Sequence, residues 1–64
     1  MILGEKIKAI RQVAKMSQRE FAQEVGCAQS LISSYEKGIK KPSYDLLVIL
    51  DALAKKYKTR IKLL

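Results

Sequence analysis

Gln29, Ser30, Ser33 and Ser34 are short polar side chains within the stretch QSLISSYEK. At helical spacing the apolar Leu31, Ile32 and Tyr35 take one face, which leaves the amide and the three hydroxyls on the other. A glutamine both donates and accepts and can grip the N6/N7 edge of adenine in bidentate fashion, while a serine hydroxyl serves several bases. An ordinary solvated helix face has the same composition. What sets this one apart is its position at the start of a helix that directly follows a helix-turn signature. Little else in the chain could do chemistry. There is no histidine and a single cysteine, hence no internal disulfide, no zinc set and no acid–base constellation. No phosphate-binding loop is present, and no chain is left over to wall a pocket. The expectation is a protein that is not an enzyme and holds no cofactor and no metal. Cys27 reads as a small buried hydrophobe. The competing reading, a thiol activated by a nearby helix N-terminus, is the weaker one.

The elements that position this face run from Ser17 to Gly38, SQREFAQEVGCAQSLISSYEKG. Ser17 with Glu20 three residues on forms an S-x-x-E capping box, and a helix is expected over 18–25. Gly26 marks the turn, since glycine enters the left-handed region without steric cost. Ala22 supplies the small side chain that two crossing helices need, and Phe21, Val25 and Ile32 are apolar anchors. Alanine, glycine and a β-branched residue at 22, 26 and 32 make the pattern of a DNA-reading helix-turn-helix. The next helix is expected over 29–37, closed by Gly38.

Length and charge narrow the partners. A chain of 64 residues is one small domain, near the lower limit for stability from its own core, which favours oligomerisation. Thirteen Lys and Arg against six Asp and Glu give a net charge of +7. That excess suits a polyanion, either nucleic acid or an anionic membrane surface. A surface-lying membrane peptide needs one long amphipathic helix, which Gly26, Gly38 and Pro42 interrupt. No run is long and apolar enough to span a bilayer, no signal-peptide pattern opens the chain, and a lone thiol suits the reducing cytoplasm.

On either side of this core lie two further helices and a tail. Residues 5–15 carry an apolar stripe from Leu3 through Ile7 and Ile10 to Val13 and Ala14, with Met1 to Gly4 as a lead-in. Lys6 and Lys8 read as solvated. Ser43 caps a fourth helix with Asp45 in its first turn. Its run Leu46 to Leu50 is apolar all round, so one side should face the core and another, with Val48 and Ile49, a partner subunit. After Lys56 the period changes to two. Tyr57, Thr59, Ile61 and Leu63 alternate with Lys58, Arg60 and Lys62, which is a strand signal. A lone strand needs a partner, and the expected one is the same strand of a second copy, paired antiparallel. A frayed basic tail or a fifth helix are the alternatives.

GEKIKAIRQ, SQREFAQEVGCAQSLISSYEKG and KKPS resemble the Cro/phage-repressor (Xre-like) helix-turn-helix family over roughly residues 4–54. The resemblance implies a transcriptional repressor that binds a palindromic operator in double-stranded DNA as a homodimer. It places Ala28, Gln29, Ser30 and Ser34 at base edges, joined here by Ser33 from the same polar face. It sets Gln18, Lys37, Lys40, Lys41, Ser43 and Tyr44 along the phosphates, with Gln18 also supporting Gln29, and Arg19 is assigned to that set. It also implies a structural ion pair between Arg11 and Glu36. Ala28 stands where many members have Ser or Thr, at a cost of about 1 kcal/mol in capping. The basic, strand-like ending is similar to HipB-like antitoxins, so an antitoxin that neutralises a partner toxin is the alternative function.

These readings combine into an all-α fold: a compact four-helix, lambda-repressor-like helix-turn-helix domain over residues 1–56. Residues 57–64 form a C-terminal β-strand that pairs across a homodimer, with Val48, Ile49, Tyr57, Thr59, Ile61 and Leu63 as the dimerisation residues.

Overall fold

The computed structural model describes residues 2–64. Four helices follow one another: α1 (Leu3–Val13), α2 (Gln18–Val25), α3 (Gln29–Lys37) and α4 (Tyr44–Lys56). α3 packs mainly on α1 and α2, and α4 closes the opposite side by touching the same two helices. Ile7 and Ile10 of α1, Phe21, Ala22 and Val25 of α2, Ile32 and Tyr35 of α3, and Leu50, Leu53 and Ala54 of α4 form one core. Each set recurs at three- or four-residue intervals, so each helix turns one stripe inward. Buried Ala22 lets α2 and α3 cross closely.

Local chemistry sets where the helices stop. The Ser17 hydroxyl accepts from the Glu20 amide while the Glu20 carboxylate accepts from the Ser17 amide, so the capping box is complete. That pair of bonds holds Glu20 below the usual carboxylate range, chiefly through the Ser17 backbone amide. Gly26 ends α2 at φ +89, a conformation that a Cβ would penalise by about 1–2 kcal/mol. The amides of Gly26 and Cys27 both return to the Ala22 carbonyl, at 2.8 and 3.0 Å, which fixes the angle at which α3 departs. Ser43 accepts from the Leu46 amide and caps α4.

Three expectations need correction. α1 begins at Leu3 and ends at Val13 rather than running over 5–15. Lys15 takes a left-handed φ of 58 and turns the chain, so Val13 falls outside the packed stripe and is exposed. Gly4 is no lead-in residue. It is buried in the first turn of α1, and a Cβ there would stand 2.6 Å from the Tyr35 carbonyl oxygen and 2.7 Å from that of Glu36. Only glycine allows α1 to approach the end of α3 so closely.

The third correction concerns the tail. Among the described residues there is no strand, and residues 57–64 lie against their own domain. Tyr57 ends α4, Lys58 takes a left-handed φ of 58, and the chain reverses. The Thr59 amide and hydroxyl both donate to the Ala54 carbonyl at 2.9 Å. Tyr57, Ile61 and Leu63 then pack against the core, and the Leu63 amide donates to Asp51 Oδ1 at 3.2 Å. The period-two pattern is real, but its apolar set is covered by the same chain.

Candidate nucleic-acid interface

The inner side of α3 is locked, and this is what makes its outer side a usable surface. Ile32 and Tyr35 are buried, and at 100° per residue Ser30, Ser33, Ser34 and Lys37 point the other way. Ala28, Gln29 and Ser30 are exposed, while Ser33 and Ser34 are half-buried at the edge of the packed face. Ala28 offers no side-chain cap, so the first amides of α3 have no side-chain acceptor.

A polar cluster fastens α3 from its far end. Arg11 Nε donates to Glu36 Oε2 at 2.7 Å and Nη2 to Oε1 at 3.1 Å, a bidentate fork. The remaining Nη1 donates to the Met16 carbonyl at 3.0 Å, so α1, the α1–α2 turn and α3 are tied through one guanidinium. The Arg11 and Glu36 side chains are 15% and 5% exposed, so the pair is mostly shielded from screening. The hydrogen bond to Glu36 raises the Arg11 pKa further, against the lowering effect of burial. Gln18 joins the cluster, with Nε2 donating to Glu36 Oε1 at 3.2 Å. A carboxylate only accepts, so Glu36 orients that amide, and one Gln18 N–H remains unused. No sequence signal pointed to Gln18 as a partner of the ion pair.

The loop after α3 is pinned as well. Gly38 closes the helix at φ +77, and the Ser34 carbonyl accepts from the amides of Ile39 at 2.9 Å and Lys40 at 3.4 Å. Lys40 and Lys41 are thereby carried to a shallow apolar cleft beside Ile2, Leu3 and Gly4, at the uncapped N-terminus of α1. Lys37, Lys40, Lys41, Ser43 and Tyr44 are all exposed, as is Arg19 at the start of α2. Among the described residues none of these cations has a carboxylate partner, and the ion pairs there are Arg11–Glu36, Lys55–Asp51 and Lys56–Glu24. Cys27 is half-buried with its thiol pKa pushed up by burial, which disfavours the reactive thiolate.

A helix-turn-helix family model matches residues 7–62, nearly the whole chain. The protein belongs to the Cro/phage-repressor (Xre-like) helix-turn-helix family. It is a DNA-binding transcription regulator of that family. α2, the turn at Gly26 and α3 have the order of a helix-turn-helix pair and lie within the matched residues. No curated protein and no solved structure matches the chain. No helix among the described residues is long and apolar enough to cross a membrane.

Proposed function

We propose that the protein is a homodimeric transcriptional repressor whose α3 helices read the two halves of a palindromic operator. The observation that carries this reading is the outer face of α3, with Gln29 and Ser30 exposed and Ser33 and Ser34 half-buried at its edge, on a helix held from behind by Glu36. Gln29 reads an adenine edge, the serines bond neighbouring bases, and the Ala28 methyl suits a thymine methyl. Gln18, through its unused amide hydrogen, and Arg19, Lys37, Lys40, Lys41, Ser43 and Tyr44 grip phosphates on either side. The Ser43 hydroxyl accepts within its own helix cap and keeps its hydrogen for a phosphate oxygen.

The second copy docks on α4. Val48 and Ile49 are 42% and 39% exposed, on a helix whose other side lies in the core. The reading requires a two-fold interface there to set the recognition helices about 34 Å apart, one turn of B-DNA. Selection of bound duplexes from a random pool tests the reading, with enrichment of two inverted half-sites expected. Gln29→Ala should then cost about 1–3 kcal/mol on the selected site and relax one base pair per half-site. Equal loss on selected and random DNA would show that Gln29 reads no base.

A further inference from the structure

We infer that the outer edge of residues 59–64 is a docking site for an extended, acidic segment of a partner protein, which adds to it as a β-strand. Burial alternates strictly along this stretch: Thr59, Ile61 and Leu63 are half-buried, and Arg60, Lys62 and Leu64 are exposed. That alternation is what an extended chain laid on a surface produces. The amides of Ile61 and Leu63 are engaged, with Thr59 Oγ1 at 3.3 Å and Asp51 Oδ1 at 3.2 Å. In an extended chain successive residues aim their amide and carbonyl to opposite sides, so Arg60, Lys62 and Leu64 present theirs to the other edge. Among the described residues those three amides donate to nothing. Among the described residues the single hydrogen bond on that edge is donated by the ammonium of half-buried Lys6 to the Lys62 carbonyl at 3.0 Å.

Charge selects the occupant. Lys58, at the reversal, and Arg60 and Lys62 along the stretch are exposed and have no carboxylate partner among the described residues. A second copy is a poor match. In any antiparallel register that keeps the two apolar faces together, cations stand opposite cations, because residues directly across a ladder share a face. A DNA phosphate satisfies the cations and an amide but repels the carbonyls that alternate with those amides. A strand satisfies both backbone groups, and carboxylates at alternate positions answer Lys58, Arg60 and Lys62. This inference stands apart from operator recognition, since it uses neither α3 nor its DNA.

The test is hydrogen exchange and chemical-shift mapping on the full chain with an end-blocked peptide of alternating valine and glutamate. The expected result is exchange slowed by about tenfold or more at Arg60 and Lys62, with the helices unchanged. The same peptide with a central proline should give no such slowing, and Arg60→Glu should weaken binding while leaving helix protection intact. Three results would overturn the inference. Equal effects from both peptides would mean attraction without strand pairing. Protection that rises with protein concentration alone would identify a second copy as the occupant. Slowing by random-sequence duplex but not by peptide would identify a phosphate surface.

Discussion

At the meeting point of α1, α2 and α3, Arg11, Glu36, Gln18 and the Met16 carbonyl satisfy one another within a nearly dry cluster. At the other end of the sequence, residues 59–64 lie on the domain with alternate side chains half-buried and, among the described residues, one backbone edge held only by the Lys6 ammonium. The first arrangement removes alternatives, because a partly broken buried network costs more than it returns. The second keeps alternatives, because an open edge and solvated cations lose little by exchanging partners. A regulator needs both. On the function proposed above, α3 must hold its orientation against the work of binding, and the proposed partner must find a surface that is not already satisfied.

The largest test of this contrast is Glu36→Ala. It strands the Arg11 guanidinium, which is only 15% exposed, and should cost about 3 kcal/mol. Urea midpoints would measure it, and a loss under about 1 kcal/mol would reduce the pair to a surface contact. Gly4→Ala probes the same junction through its backbone. The added methyl meets two carbonyl oxygens of α3. Overpacking of about 1–3 kcal/mol there outweighs the better helix propensity of alanine, at most about 1 kcal/mol. A net loss of about 1–2 kcal/mol is expected, and a gain would show that α1 can slide away from α3.

Ending the chain after Thr59 removes Ile61 and Leu63, which are only half-buried. The transfer term is about 1–2 kcal/mol and is partly offset by the order that the tail no longer needs. Stability should fall by about 1 kcal/mol or less. A cost equal to that of Glu36→Ala would erase the contrast between the two regions.

The smallest effect is pH-dependent and belongs to the capping box. Glu20 is held below the ordinary carboxylate pKa by the Ser17 amide and hydroxyl, so its contribution is complete above the unfolded value, about 4.3. It is lost as pH falls from there through the lower folded value. Glu20→Gln cannot titrate and keeps the capping geometry, so its melting temperature should drop less than that of the parent between pH 5 and pH 3. Parallel curves would mean that Glu20 makes no titrating contribution.

Much of the fold was legible because it rests on local rules. The capping box at Ser17, the left-handed turns at Gly26 and Gly38, and the Ser43 cap are short-range chemistry, readable within four residues. The apolar stripes marked the core positions at Ile7, Ile10, Phe21, Val25 and Ile32 for the same reason. The Arg11–Glu36 pair was legible through a family resemblance alone, since no local rule joins residues 25 apart. Gln18 gave no sign of its bond to Glu36, because a glutamine at a helix start has many possible partners.

What the sequence by itself determined is the set of helices, the main stripe each one buries and the polar character of the outer face of α3. These follow from periodicity, capping and glycine stereochemistry, which act over one or two turns. Tertiary structure alone decided three things: that Gly4 must be glycine, that Val13 falls outside the core, and that the alternating tail lies on its own chain. Each depends on which distant atoms come near. Gly4 is constrained by carbonyls more than 30 residues away, and a period of two states that alternate residues share a cover without stating whose surface provides it.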